Sequence, residues 1–317
     1  TLLLSQSSYN LYSPYLDLPS IGEDETMHFG FRIRADMPDS DGNDDGFLDD
    51  YYNIAIYDIG TLAWHSSDFN SISENYFWCS EDEIGGYRNG WMQYLDTQTV
   101  SVGDNAELSV RLLYTIEDAT GPFVDGSCAD GWDAANIRIS IDGGISWELL
   151  NGSIPYDFEC GYGWIWNDVE YEADGSLNHL ASGWGGSSDG WVDFSSDLTN
   201  YSGEDVIIRF AFGSDGALST TEDSSISGLQ IDNIIIADDT GTLYSNNGAD
   251  ESTISISGEL WIDQFHDYGQ DNRPGSVGWT EYVPGYPFNG NTFLNISDLA
   301  GKKIKLRVRT HYDDNHD

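Results

Sequence analysis

The chain has 317 residues, with 55 Asp and Glu against only 12 Lys and Arg, giving a net charge of −43. That field opposes phosphate and anionic lipid, which excludes nucleic acid as a partner and argues against membrane binding. Aromatic residues make up 14%, including 11 Trp and 19 Tyr, too many for a disordered acidic tail. No run approaches the ~18 apolar residues of a membrane span.

The acidity has two readings that stay open together. One is solvation of an extracellular or salt-adapted surface, and the other is a store of carboxylates for divalent cations. Helical periodicity is nearly absent, while short alternating runs separated by Gly, Asp, Asn and Ser recur throughout. The pattern predicts an all-β fold of tandem β-sandwich (jelly-roll) modules.

From the N-terminus, residues 17–58 carry D-L, a turn, G-E-D, a strand ending F-x-F, an acidic loop and an apolar strand closed by Asp. Residues 197–238 repeat this order, and 298–317 begin a third copy. The expected organisation is a back half of a module in 1–66, a complete one in 76–240, and a further truncated one in 244–317. Chain ends without an initiator Met or a signal peptide suggest a mature product or a fragment.

Within the first acidic loop, Asp39, Asp41, Asn43 and Asp45 alternate before Gly46, with Asp49 and Asp50 following. Alternate oxygen ligands in a Gly-containing loop can converge on a hard cation, so calcium is the expected cofactor. The distal Glu of an EF-hand is missing, which points to another class of calcium loop. The corresponding central residues are Asp215, Glu222, Asp223 and Asp232, and in the third copy Asp313 and Asp314.

The middle of the chain is organised by 136–150, NIRISIDGGISWELL. Ile137, Ile139 and Ile141 alternate with polar residues, and Asp142-Gly143-Gly144 supplies a tight turn before a return strand from Trp147. Ser140, Asp142, Gly144 and Trp147 spell S-x-D-x-G-x-x-W, which resembles the Asp-box hairpin of sialidases and many secreted β-proteins. The resemblance implies a structural role, with the Asp bracing the turn and the Trp packing beneath it.

After it, Trp164, Trp166, Trp184 and Trp191 cluster in a loop-rich stretch with amide and acidic neighbours. Exposed, they would form a glycan platform; buried, they are core anchors. Cys79, Cys128 and Cys160 allow one disulfide among three pairings, and Cys128–Cys160 flanks the central hairpin. Asn151, Asn200 and Asn295 head glycosylation sequons beside predicted turns. Together these features place the chain outside the cytoplasm.

The order W-x-Q-Y-L-D (Trp91 to Asp96), S-x-D-G-G-x-x-W, D-L-x-x-Y-x-G-x-x-V-x-I-R-F (Asp197 to Phe210) and G-L-Q-I-D-N (Gly228 to Asn233) is similar to a known domain type. It resembles the MAM-like jelly-roll modules of immune-inhibitor-A-type secreted metallopeptidases and of large prokaryotic surface proteins. The resemblance implies that Asp232 helps to hold a structural calcium.

Catalysis finds little support. The six histidines are scattered without H-E-x-x-H, and neither G-x-S-x-G nor a phosphate-cradling glycine loop before a helix is present. The expected role is a non-enzymatic, calcium-stabilised structural or adhesive component of a cell-surface layer or filament. Its expected partners are copies of itself or neighbouring surface proteins. The alternative is a glycan- or protein-binding accessory module of a secreted hydrolase.

Overall fold

The computed structural model describes residues 7–30, 32–33, 51–59, 62–69, 75–121, 130–167, 180–267, 280–281 and 294–312. Five strands open it: β1 (Ser7–Tyr12), β2 (Leu16–Asp17), β3 (His28–Phe29), β4 (Arg32–Ile33) and β5 (Tyr51–Ile59). Next come β6 (Trp64–Ser67), β7 (Tyr76–Cys79), β8 (Trp91–Thr97), β9 (Val100–Ser101) and β10 (Glu107–Thr115). β11 (Ala134–Ser140) and β12 (Glu148–Leu149) form the hairpin, followed by the short helix α1 (Tyr162–Asn167). β13 (Val192–Asp197), β14 (Asp205–Gly213), β15 (Gly228–Asp238) and β16 (Gly241–Asn246) complete the central part. β17 (Ile254–Asp267), β18 (Thr280–Glu281), β19 (Leu294–Asn295) and β20 (Lys303–Tyr312) follow.

The fold is all-β, as the alternation predicts, and is built on two antiparallel sheets. One has the order β1-β20-β5-β17-β8-β14-β11-β12, with β2 on β20 and β9 on β14; the other is β13-β10-β15-β7-β6, with β16 on β15. In β10, Leu108, Val110, Leu112 and Tyr114 are buried while the residues between them are not. They meet Val206, Ile208, Phe210 and Phe212 of β14 and Leu229, Ile231, Ile234 and Ile236 of β15 in one core. Alternation thus decides which face of β10 leaves water, whereas β11 is buried on both faces, its polar Asn136, Arg138 and Ser140 included. No helix among the described residues is long and apolar enough to cross a membrane.

The segments at the two ends fold together. β20 lies between β1 and β5, so strands from the two ends of the chain share one sheet. Their pairing repeats that of the central part. Arg307 stands opposite Tyr12 and Ala55, as Arg209 stands opposite Asp96 and Arg138. Lys303 faces Asp17 as Asp205 faces Ser101, and His28 faces Asn295 as Glu107 faces Asp197. Even side-chain bonds recur: the Leu306 N–H donates to Ser13 Oγ at 2.9 Å, and the Ile208 N–H to Thr97 Oγ1 at 3.0 Å.

This structural repeat differs from the sequence repeat. Asn295-Ile296, rather than Asp298-Leu299, takes the place of Asp197-Leu198, each leading through a 3₁₀ turn to a positive-φ glycine, Gly301 or Gly203. Asp17 stands where Ser101 stands, so β1 and β2 take the register positions of β8 and β9. The two 3₁₀ turns that precede β14 and β20 thus share a fold position that the D-L…G-E-D match does not align.

β17 joins the two pairing systems. Its first half pairs with β8, from Ile254 opposite Thr97 to Leu260 opposite Trp91, and its second half with β5. At Gly258 the approach is too close for a side chain, since a Cβ would lie 2.4 Å from Gln93 Oε1. Gln93 is fully buried, and its Oε1 accepts the Ala63 N–H at 2.9 Å. Gly258→Val is expected to cost about 1–3 kcal/mol by overpacking, measured as a lowered urea midpoint.

Candidate metal centre

Three strand ends converge at one end of the sandwich. The register that sets Ala134 of β11 opposite Gly213 of β14 brings Asp133, just before β11, beside Asp215, just after β14. Glu117 follows β10 of the facing sheet and is pinned by two bonds, Ile116 N–H to Gly186 O (2.8 Å) and Gly186 N–H to Glu117 O (2.6 Å). One ligand oxygen from each of the three carboxylates lies within 4.8 Å of the others. Asp133 is 0% exposed, Asp215 5% and Glu117 9%, which removes the water that normally stabilises carboxylates.

Each neighbour helps to fix the cluster. Asp133 Oδ1 accepts the Asp215 N–H at 2.8 Å, and its Oδ2 accepts the Tyr87 hydroxyl at 2.5 Å. The Tyr87 oxygen in turn accepts the Glu117 N–H at 3.2 Å. Asp215 Oδ1 accepts the Ala217 N–H, and its carbonyl accepts the Gly90 N–H. Behind Asp133, residues 130–133 are bonded to 160–163, where the Asp130 and Gly131 N–H groups donate to the Cys160 carbonyl. Cys160 is disulfide-bonded and Cys79 is a buried free thiol; Cys128 lies outside the described residues.

Among the described residues none of the three carboxylates has a Lys, Arg or His partner, and Glu117 Oε2 is buried with no hydrogen bond. The electrostatic consequence is large. Burial, then the Asp215 charge, push Glu117 up to about 8, and burial raises Asp215 to about 6. Asp133 is also pushed well up, by burial first and the Asp215 charge second. Nearby, Asn89 Oδ1 is likewise buried without a partner, between Arg88 and Gly90, whose backbones bond to Ser214 and Asp215. Three buried oxygen acids, with no His or Cys in the cluster, suit a hard cation.

Compared with known proteins, the chain matches no family model and no curated protein.

Of the acids expected to bind metal that lie among the described residues, only Asp215 joins this cluster. Asp232 sits opposite Arg111 across a β-bulge, where its Oδ1 accepts the N–H of Asn233, itself at φ 51°. Asp232 Oδ2 lies 3.7 Å from the Arg111 guanidinium, so the Asp braces a bulge and an ion pair. Glu222 is taken up by the N–H and hydroxyl of Ser219, and Asp223 by those of Ser225. Asp39, Asp41, Asn43, Asp45, Asp49, Asp50, Asp313 and Asp314 lie outside the described residues. Glu117 and Asp133 were missed by the sequence reading. Their only local sign is an acid just outside an alternating run, which 55 acids make uninformative.

The proposed glycan platform changes too. Trp164 and Trp184 are 0% exposed and cannot stack on a sugar. Trp191 is half-buried, between Tyr76 (ring centroids 5.8 Å apart) and Arg111 (5.2 Å). Of Trp166 only its place in α1 is described. Asn151, Asn200 and Asn295 are all exposed, as an acceptor site requires. In the hairpin, Asp142 Oδ1 accepts the Ile145 and Ser146 N–H groups and the Ser140 hydroxyl, and Ser146 bonds hold its carboxyl down at about 2. The Trp147 ring stacks on Arg209, whose guanidinium carbon is 3.7 Å from its centroid.

Tyr87 orients Asp133 without itself being charged. Tyr87→Phe is expected to weaken metal binding by about tenfold, the usual cost of losing a supporting hydrogen bond, as read by isothermal titration.

Proposed function

We propose that this chain is a non-catalytic extracellular β-sandwich protein, a calcium-stabilised structural or adhesive component of a cell-surface layer or filament. The observation that carries the metal is the buried Glu117–Asp133–Asp215 cluster, which lacks a cationic side chain among the described residues. A divalent cation would supply the missing positive charge. Calcium fits better than magnesium, because it accepts six to eight oxygens in flexible geometry, whereas magnesium demands a near-ideal octahedron. Asp133, Asp215 and Glu117 would supply the charged ligands.

Burial also favours a structural over a catalytic role, since a substrate has no access to three nearly enclosed carboxylates. The exposed sequons and the disulfide at Cys160 support an oxidising, extracellular setting. An adhesive or layer-forming role agrees with the strongly acidic surface and with the resemblance to modules of large surface proteins. The alternative, a glycan- or protein-binding accessory module, rests on Trp191 beside the groove lined by Arg111, Asp193 and Asn233.

Calorimetric titration of chelator-treated chain with calcium tests the metal. One-site binding lost in Asp133→Asn supports it. No heat and an unchanged unfolding midpoint in excess calcium would remove the metal from the proposal. Glycan binding that disappears in Trp191→Ala would favour the accessory reading.

A further inference from the structure

The side of the second sheet that faces away from the core carries a cleft of about 420 Å³, within the ~300–1,000 Å³ of small-ligand sites. Its origin lies in the register. Ser109 of β10 stands opposite Ser195 of β13 on one side and Ile235 of β15 on the other. The next outward residue of β10, Arg111, stands opposite Asp193. Two small serines beside a long charged pair leave a hollow, walled by Arg111 and Asp193. On the β15 side the bulge brings Asn233, at φ 51°, to the rim. Re-aiming a side chain is what a bulge does.

Arg111 is fixed in place with its donors unspent. Its Nε lies 3.6 Å from Asp193 Oδ1, and its Nη1 3.7 Å from Asp232 Oδ2, both too far for a hydrogen bond. Its guanidinium carbon sits 5.2 Å from the centre of the Trp191 ring. Charge and stacking therefore orient the guanidinium, while among the described residues none of its N–H groups donates a hydrogen bond. The Asp193 side chain is 91% exposed. Asn233 commits its Nδ2 to Asp232 Oδ2 at 3.2 Å, which leaves its amide oxygen as an acceptor.

The balance of charge narrows the ligand. An anion would meet Asp193 and Asp232 beside Arg111, and a cation would meet Arg111 itself. A hydroxyl group suits both, because it accepts from Arg111 and donates to Asp193 or to the Asn233 amide oxygen. A peptide strand is disfavoured, since β10 is already paired on both sides and offers no open main-chain ladder. Adjacent hydroxyls around a ring with an apolar C–H face describe a pyranose, and half-buried Ile235 supplies the apolar contact.

We propose that the cleft between β13, β10 and β15 binds a neutral pyranose sugar. Arg111 donates to one hydroxyl, Asp193 and the Asn233 amide oxygen accept from its neighbours, and Ile235 lies against the C–H face. Trp191 contributes by holding Arg111. This rests on the accessory reading above, which it deepens by naming the ligand class and the site, and it is independent of the metal.

The test is isothermal titration of the full chain with the methyl glycosides of glucose, galactose and mannose, in calcium and in chelator. Glucuronic acid and glucosamine serve as charged controls. One neutral glycoside is expected to bind one-to-one in both buffers, and each charged sugar at least about tenfold more weakly. Asp193→Ala should weaken binding by about tenfold, the loss of one hydrogen bond to a charged group. Because Asp193 is exposed, this variant keeps its fold, checked by circular dichroism. Ser195→Tyr fills the hollow and should abolish binding. Neutral-sugar binding unchanged in either variant overturns the site, while a glycan-binding surface elsewhere on the chain survives. A charged sugar preferred over every neutral one overturns the ligand class. If no sugar binds, this proposal and the accessory reading fall together and the calcium titration stands.

Discussion

Glu117→Gln is expected to raise the unfolding midpoint of the chelated protein at about pH 8.5 while removing most of the stabilisation that calcium gives. The two opposite effects share one cause. In the metal-free fold the carboxyl is lifted from its ordinary 4.5 to about 8, so the native state holds a proton that the unfolded chain has released. Between those values the folded state binds more protons, and its stability falls as pH rises. Asp215, raised to about 6, adds to the fall over the lower part of the window. Gln removes the Glu117 part of this loss. Calcium reverses the sign, because it binds only the deprotonated cluster and, at about a thousand times its Kd, adds about 4 kcal/mol to the folded state. Scanning calorimetry of both proteins, with calcium and with chelator, at about pH 5 and about pH 8.5 checks all of this. A variant less stable than the parent in chelator at the higher pH would mean that something other than a metal neutralises the cluster.

Trp184→Ala should cost about 3–5 kcal/mol, enough to unfold a large share of a marginally stable chain. The indole is fully buried, with Tyr156 4.6 Å, Phe194 5.5 Å and Tyr114 6.1 Å away between ring centroids. Its Nε1–H donates to the Pro155 carbonyl at 3.0 Å, so truncation leaves both a cavity and an unpaired acceptor. Guanidinium unfolding measures the loss. Sugar binding without loss of stability would return Trp184 to the surface.

Trp184 also shows where sequence reading reaches its limit. A Trp among Gly, Ser and Asp in a loop-rich stretch satisfies the composition of a sugar platform and that of a core anchor equally. What separates them is the long-range contact with Tyr114 and Phe194, which leaves no local trace. Local features were legible. Ile137 and Ile139 are buried, Gly143 and Gly144 take positive φ, and Ser140 and Asp142 brace the turn. Even there the alternation overran by one residue, since the strand ends at Ser140 and Ile141 is 48% exposed.

The metal cluster lay beyond local reading for the same reason. Glu117, Asp133 and Asp215 come from three strand ends in two sheets, and only the register of β11 on β14 and the closure of the sandwich bring them together. The acidic loops stand out in the sequence because their carboxylates are adjacent. Adjacent carboxylates are the ones that water and nearby hydroxyls satisfy most easily, as Glu222 and Asp223 show.

The antiparallel union of β1 with β20 sets how the chain would carry a mechanical load. Ser7 lies opposite Tyr312, so the two strands enter and leave side by side. Tension applied at those points peels the ladder open one residue pair at a time, beginning at that end, instead of shearing all its bonds together. The central sandwich with its carboxylate cluster lies outside this load path. Pulled in that way, the fold would yield first at its periphery, at low force, with the acidic cluster and the hairpin still intact.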